Sequence, residues 1–147
     1  MNSQYLVLKP EQRDAPFNVV GTLVTVLADD PENRRFGVTF QQGDEGTGPP
    51  PHCHGWDECF YVLEGGVEFT CEGESYVCTP GTLVVVPNGT IHGFKYCAGG
   101  GKMLEFTGQG TLAAQMFKAM DDEIPPGPPD VPKILDVLGR NGVTVVL

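Results

Sequence analysis

Glycine and proline interrupt this chain so often that long helices have little room to form. The 147 residues include 20 glycines and 13 prolines, and both residue types mark turns and loops. The segments between them are short and rich in valine, threonine and aromatic residues, which is typical of β-strands. We therefore predict an all-β fold, a sandwich or a barrel built from many short strands.

The predicted strands occupy most of the chain from residue 17 to residue 107. They cover residues 17–27, 36–42, 58–63, 67–71, 75–79, 82–86, 91–96 and 102–107. Residues 64–66 are expected to close the third strand, and residues 72–74 (Glu-Gly-Glu) indicate a tight hairpin. The last two predicted strands are expected to pair with each other across the glycines at 99–101.

The pattern changes after residue 110 and predicts two short helices. Thr111 can cap the first helix, which runs to about Asp122, and Asp130 can cap the second one. The proline-rich residues 125–129 separate the two helices, and an Asn-Gly pair stops the second. The apolar residues 143–147 are expected to form a last strand.

A chain of this length forms one domain by default, and it can fold without help from a disulfide or a metal. We predict a single domain over residues 1–147. Its barrel core covers about residues 17–108, and the helical and extended part at about 110–147 is an appendage packed on that barrel.

The charge balance argues against several classes of partner. The chain has 9 basic and 19 acidic residues, a net charge of −10, whereas nucleic acids and anionic membranes attract basic surfaces. Residues 1–20 lack the cationic start and apolar core of a signal peptide, and no apolar run is long enough to span a bilayer. The five cysteines are therefore expected to be reduced thiols in a cytoplasmic protein.

All three histidines lie in two short segments with the spacing of a metal site. His52 and His54 are separated by one residue, so on a strand both side chains point to the same face. Glu58 has the same parity and can join them if the strand continues past the bend at Gly55. His92 must come from another strand, and the turn before it can aim it at the first three.

Three imidazoles and one carboxylate suit a transition metal such as Fe, Mn, Ni, Co, Cu or Zn, and do not suit Ca or Mg. Four protein ligands leave positions open for water, dioxygen or substrate. By parity, Cys53 faces the opposite side of the strand, so we do not count it as a ligand.

The two segments resemble the two motifs of the cupin superfamily. Residues 46–65 have a Gly, five residues, His-x-His, then Glu and Gly, and residues 81–92 have a Gly, five residues, Pro-x-Gly, two residues and His. The chain most resembles small single-domain bacterial cupins that are similar to quercetin dioxygenases. One position departs from the pattern, because Tyr96 stands where the second motif often has Asn.

The resemblance implies a jelly-roll barrel, or double-stranded β-helix, of six to eight strands with a metal inside its mouth. The implied ligands of one divalent transition metal (Fe, Mn, Ni, Co or Zn) are His52, His54, Glu58 and His92. Fold and metal carry over from such a resemblance better than the reaction does.

Three functions fit this site. The first is a metal-dependent dioxygenase, an oxidoreductase acting on a small apolar enolic or phenolic substrate, in which Glu58 both binds the metal and accepts a proton. The second is a non-redox cyclase, isomerase or lyase in which the metal is a Lewis acid. The third is a cupin that binds a small molecule without turnover.

The candidate substrate contacts are aromatic, sulfur-containing or acidic residues near the predicted ligands or on nearby strands. They are Trp56, Phe60, Phe94, Met103 and Glu105, with Val62, Val84 and Val86 as further possible walls. For most of the apolar residues among them, plain barrel core is the better interpretation. A homodimer is also expected, paired through the sheet edges at residues 17–27 and 143–147.

Overall fold

The computed structural model of the chain describes residues 4–146, and antiparallel strands dominate it. The strands are β1 (Phe17–Val19), β2 (Thr22–Asp29), β3 (Gly37–Gly43), β4 (His52–His54), β5 (Glu58–Cys71), β6 (Glu74–Cys78), β7 (Leu83–Val86), β8 (His92–Thr107) and β9 (Val143–Val145). The helices are α1 (Ala113–Glu123) and α2 (Val131–Arg140). The prediction of an all-β fold with two short helices near the C-terminus is confirmed.

The long strands β5 and β8 organise the sheet. They pair antiparallel over most of their length, from Glu58 opposite Thr107 to Cys71 opposite His92. Strand β8 also pairs with β3 and β4, while β5 also pairs with β6 and β7. The result is a curled antiparallel sheet in the order β1-β2-β3-β8-β4-β9. Strand β5 joins this sheet by pairing with β8, and β6 and β7 join it by pairing with β5.

The prediction of one strand over residues 17–27 is wrong, because the chain reverses direction inside it. Val20 and Gly21 have φ values of 49° and 92°, which turn β1 back onto β2. The Gly21 amide donates a hydrogen bond to Asn18 Oδ1 at 2.9 Å and helps to hold the turn. A β-branched residue rarely adopts a positive φ, so the sequence pattern favoured an uninterrupted strand.

The predicted strand ends at residues 64–66 and 99–101 are also wrong. Both glycine segments lie inside strands, and Gly65 is directly opposite Gly101 in the β5–β8 ladder. The register shifts between Val62 and Glu64 and between Gly65 and Val67. Such bulges bend a strand without ending it, so the two strands predicted at 91–96 and 102–107 are one bent strand, β8.

The barrel interior follows the period-two alternation of the strands. On β5, for example, Phe60 and Val62 are buried while Cys59 and Tyr61 point outward. The main core cluster consists of Phe60, Val62, Val67, Phe69, Cys78, Val86, Phe94, Tyr96 and Met103. Each of these side chains removes apolar surface from water, which is the main favourable contribution to folding.

The C-terminal part packs across one end of the barrel. Ala113 and Phe117 of α1 join Val24, Trp56 and Val143 in a second buried cluster. The expected cap of α2 is present, since Asp130 Oδ1 accepts a hydrogen bond from the Lys133 amide. The cap position of α1 is Leu112, and Thr111 lies one residue earlier, where its Oγ1 accepts a hydrogen bond from the Ala113 amide. The single-domain boundaries stay a prediction.

The last strand supports the strand that carries two of the candidate ligands. Strand β9 pairs with β4, with Val145 opposite His52 and Val143 opposite His54. The C-terminal strand β9 therefore helps to fix the position of the His-x-His segment. Within residues 4–146, neither helix has the length and apolar character needed to cross a membrane.

Candidate metal centre

Three strands bring the four predicted ligands to one place. His52 and His54 lie on β4, Glu58 is the first residue of β5, and His92 is the first residue of β8. His52 is directly opposite His92 in the ladder between β4 and β8. One possible ligand atom from each of the four side chains lies within 4.8 Å of the others. The structure groups these residues as expected from the sequence, and their role as metal ligands stays a prediction.

The three imidazole rings are held by the same kind of hydrogen bond. Each Nδ1 donates a hydrogen bond to the main-chain carbonyl two residues away, at 2.8 Å for His52, 3.1 Å for His54 and 2.8 Å for His92. A carbonyl only accepts, so each Nδ1 carries the proton. In a neutral ring the lone pair is then on Nε2, and such fixed tautomers are typical of metal-binding histidines.

The carboxylate lies between two of these rings. Glu58 Oε1 is 2.5 Å from His92 Nε2 and 3.2 Å from His54 Nε2. Burial by itself raises the pKa of Glu58, but His54 and His92, which donate hydrogen bonds to the carboxylate when both ring nitrogens carry protons, outweigh burial and lower the pKa. Burial lowers the pKa of His52 to about 4, so this ring is neutral near pH 7.

The donor set fits a transition metal. It combines three imidazole nitrogens with one carboxylate oxygen, and His54, Glu58 and His92 are each less than 10% exposed. Such a mixed nitrogen and oxygen set suits Fe, Mn, Ni, Co or Zn. Cys53 is not part of the group of candidate ligand atoms. It lies between the two histidines on β4 and pairs with Thr144 of β9.

The four side chains lie next to a largely apolar cavity of about 280 Å³. His52, His54 and Glu58 form part of its wall, together with Gln41 and Glu105. The remaining lining is mostly apolar and comes from both the barrel and the two C-terminal helices. A site of this kind suits a small molecule with a mainly apolar body and a few polar atoms at one end.

Four of the five candidate substrate contacts line this cavity. They are Trp56, Phe60, Phe94 and Glu105. Trp56 is 3% exposed, and its ring stacks on the ring of His54, with the centroids 4.2 Å apart and the planes at 8°. The structure places Met103 in the barrel core, away from the cavity wall, and the same holds for Val62 and Val86. Val84 packs against that core from its edge.

A second buried carboxyl lies near the first. Glu105 is 4% exposed, and Thr39 Oγ1 donates a hydrogen bond to its Oε1 at 3.1 Å. Gln41 Nε2 donates in turn to Thr39 Oγ1 at 3.2 Å. Burial, and then the negative charge of Glu58, raise the pKa of Glu105 well above its ordinary value. The site therefore holds two carboxyl groups whose pKa values are displaced in opposite directions.

The two polar neighbours of Glu105 were not predicted from the sequence. Thr39 and Gln41 lie at alternate positions on β3 and are 3% and 2% exposed. Their parity could have identified them, because two polar residues with the spacing of one strand face indicate a polar patch inside the barrel. The contribution of the two helices to the cavity wall was not predicted either.

Comparison with known proteins agrees with this geometry. The family model for the cupin domain matches residues 38–106, which include all four candidate ligands. The chain contains a cupin domain. The resemblance seen in the two histidine segments is thereby confirmed at the level of the superfamily, and the helices α1 and α2 lie outside the matched residues.

Solved structures give the same fold for the cupin barrel. KdgF from Halomonas sp. aligns with a TM-score of 0.65 at 21% identity, covering 72% of this chain and 94% of that one. An RmlC-like cupin from Shewanella frigidimarina NCIMB 400 aligns with a TM-score of 0.66 at 21% identity, covering 74% and 95%. The polyketide cyclase RemF from Streptomyces resistomycificus aligns with a TM-score of 0.61 at 25% identity, covering 71% and 80%.

One curated relative is a quercetin 2,3-dioxygenase from Bacillus subtilis (strain 168). It is 29% identical over 79 residues, which are 53% of this cupin but 23% of the relative. This cupin therefore spans about a quarter of the length of that enzyme. The jelly-roll fold is shown by these comparisons, and the reaction is a separate question.

Proposed function

We propose that this cupin is a metal-dependent dioxygenase that acts on a small apolar enolic or phenolic substrate. The observation that supports it is the buried group of His52, His54, Glu58 and His92 beside an apolar cavity. A divalent transition metal held by these four residues (Fe, Mn, Ni, Co or Zn) would supply Lewis acidity and, if redox-active, dioxygen chemistry. The partial match to a quercetin dioxygenase favours this reaction class.

The residues around the centre have distinct roles in this proposal. Glu58 is the base, because its carboxylate is ionised and lies among the candidate ligands. Its lowered pKa makes it a weak base, so it would accept the hydroxyl proton of an enol or phenol only where a bound metal increased the acidity of that hydroxyl. Glu105 donates a hydrogen bond to an oxygen of the substrate in its protonated form, which its raised pKa favours. The rings of Phe60 and Phe94 pack against the apolar body and exclude water from it.

A second candidate is a non-redox cyclase, isomerase or lyase. The observation that favours it is the pair of carboxyl groups, since pKa values displaced in opposite directions suit a base and an acid in one proton-transfer reaction. One structural neighbour, RemF, is a polyketide cyclase. The same four ligands serve this reaction, so oxygen consumption separates the two candidates.

The metal is tested first. Elemental mass spectrometry on protein purified without a chelator or a histidine tag should find stoichiometric Fe, Mn, Ni, Co or Zn. The His54→Ala variant should lose the metal, whereas Cys53→Ala, on the same strand but outside the group of candidate ligands, should keep it. Equal metal content in the wild type and in His54→Ala would contradict the metal centre.

The reaction is tested next with flavonols and other enediols in an oxygen electrode. Metal-dependent oxygen uptake supports the dioxygenase. Conversion of a compound without oxygen uptake supports the non-redox reaction. Binding with no conversion of any compound would identify a small-molecule-binding cupin and contradict both enzymatic proposals.

A further inference from the structure

Two chemically different groups of side chains line the cavity beside the metal centre. The polar group consists of His52, His54 and Glu58 with Gln41 and Glu105, all from barrel strands. The apolar group includes side chains from the two helices. Those helix residues include Met116, Met120, Ile134, Leu135 and Leu138.

The helix wall is an ordered part of the molecule. Gln115 of α1 donates a hydrogen bond to Asn141 Oδ1 at 2.9 Å, and Arg140 of α2 pairs with Glu123 at 2.7 Å. A buried cluster of Met120, Ile124 and Val137 packs the two helices against each other. The helices therefore present a fixed apolar surface to the cavity.

This wall leaves apolar side chains incompletely covered. Leu135 is 37% exposed and Val131 is 53% exposed, although both line the cavity. Apolar side chains at such positions lose contact with water when an apolar group enters.

The charge of the cavity restricts the substrate further. Within residues 4–146, no lysine or arginine lines it, and its ionisable groups are His52, His54, Glu58 and Glu105. An anionic group on the substrate would have no basic side chain as a partner beside the helices. The substrate is therefore uncharged there and carries its oxygens near the metal centre.

We propose that α1 and α2 form a hydrocarbon-binding half of the site, which selects enolic or phenolic substrates that carry an alkyl chain. The oxygens lie against the centre formed by His52, His54, Glu58 and His92, and the chain lies against the helices. The proposal rests on the proposed function for the oxygen end. The hydrocarbon half is contributed by a segment outside the residues that match the cupin domain model.

A series of 4-alkylcatechols tests the two halves separately. Catechol and its 4-methyl, 4-propyl, 4-butyl and 4-hexyl derivatives are titrated by calorimetry into protein loaded with Zn²⁺, which is not redox-active. Each added methylene should lower Kd by about three- to fourfold until the chain fills the space beside the helices, because each buried methylene contributes a fixed free energy. Unsubstituted catechol reports on the oxygen end alone.

Two variants remove the apolar surface from different helices. Leu135→Asn on α2 and Met116→Gln on α1 should each weaken the dependence of Kd on chain length while leaving the Kd of catechol within about twofold. Leu6→Asn is the matched control, because Leu6 is 55% exposed and lies outside the cavity. Circular dichroism establishes that each variant is folded.

The outcomes separate this proposal from the proposed function. Binding of catechol with no dependence on chain length overturns the hydrocarbon half and leaves the centre intact. Binding that depends on chain length, with no binding of catechol itself, supports the hydrocarbon half and contradicts the oxygen end. If no member of the series binds, both proposals are wrong.

Discussion

Trp56 occupies a special position among the residues of the site because it contacts a candidate ligand in two ways. Its ring stacks on the imidazole of His54, and its carbonyl accepts the hydrogen bond from His54 Nδ1. The ring therefore fixes the plane of His54, while the carbonyl fixes the tautomer. Groups that orient a ligand in this way affect metal affinity without touching the metal.

We predict that Trp56→Ala weakens metal binding by about tenfold or more. The variant keeps the main-chain carbonyl but loses the stacked ring, so the plane of His54 is no longer fixed. Competition with a chromophoric chelator measures the affinity. Trp56→Phe keeps an aromatic ring in the same place and should recover most of it. An unchanged affinity in a folded Trp56→Ala variant would show that stacking has no positioning role.

Trp56→Phe carries a second expectation. Among the described residues, Trp56 Nε1 is buried without a hydrogen-bond partner. A buried donor without a partner lowers stability, so its removal offsets part of the packing that the smaller ring loses. The free energy of unfolding should therefore fall less than for Trp56→Ala.

The elements that shape the barrel depend on glycines inside strands. Gly65 has a φ of 70° where β5 bends beside β8. A Cβ at this position would lie 2.1 Å from the carbonyl oxygen of Gly100. Only glycine allows β5 and β8 to approach so closely at this bulge. The bulge in turn bends the paired strands.

We predict that Gly65→Ala destabilises the protein much more than Gly73→Ala. Gly73 has a φ of 84°, but a Cβ there would meet no atom within 4 Å. The free energy of unfolding of the control variant should therefore fall by about 1 kcal/mol, because alanine is disfavoured at a positive φ. Gly65→Ala also forces β5 away from β8. Urea unfolding measures both values, and similar losses in the two variants would refute the role of close approach.

These glycines also explain how far the sequence predicts the fold. Alternation along β4 was sufficient to place His52 and His54 on one face, because the period of two is local. The strand does not continue past Gly55 as expected, and Glu58 reaches the two histidines from the start of a separate strand, β5. The same local rules treat glycine as a strand end, although Gly65 and Gly101 are paired inside a ladder. Whether a glycine ends a strand or bends it depends on the strand opposite, and that information is not local.

The site also combines features that local sequence predicts with features that it does not. The four predicted ligands were identified from their spacing within two segments, and the fold brings these two segments together. The contribution of the helices to the cavity was not predictable in this way. The apolar positions of α1 and α2 indicate only that one face of each helix is buried, and a core contact and a cavity wall give the same pattern.

For the whole molecule, an uncovered apolar face on the outside of the barrel bears on the oligomeric state. The side chains of Tyr61, Leu63, Leu83, Val85 and Phe106 are between 37% and 65% exposed. Tyr61 lies opposite Leu83, and both Val85 and Phe106 lie opposite Cys59, so the five side chains form one patch. A patch of several hundred Å² on a sheet face is typical of an interaction site.

The edge of β1 is less suited to association than expected. The Asn18 amide donates a hydrogen bond to Asp121 Oδ1 of α1 at 2.8 Å. A side chain that occupies an edge amide in this way blocks the addition of another strand. The homodimer expected from the sequence is therefore better supported on the sheet face than on this edge.

We predict that the protein forms a homodimer in which two copies of this face pack together about a twofold axis. Two such patches would bury on the order of 1,000 Å², which is the lower range for a specific interface. The net charge of −10 repels other copies, so the contact must come from a part of the surface without charged groups. Among the five side chains of the patch, none is charged.

Val85→Lys should therefore convert the dimer into a monomer, because it places a charge that cannot be paired in the centre of an apolar contact. Val77→Lys is the matched control, since Val77 on β6 is 69% exposed, similar to Val85 at 65%, and lies outside the patch. Sedimentation velocity across a range of concentrations measures the dissociation constant. If Val85→Lys is still a dimer, the interface lies elsewhere on the surface. If the wild type is a monomer, the prediction of a homodimer is wrong.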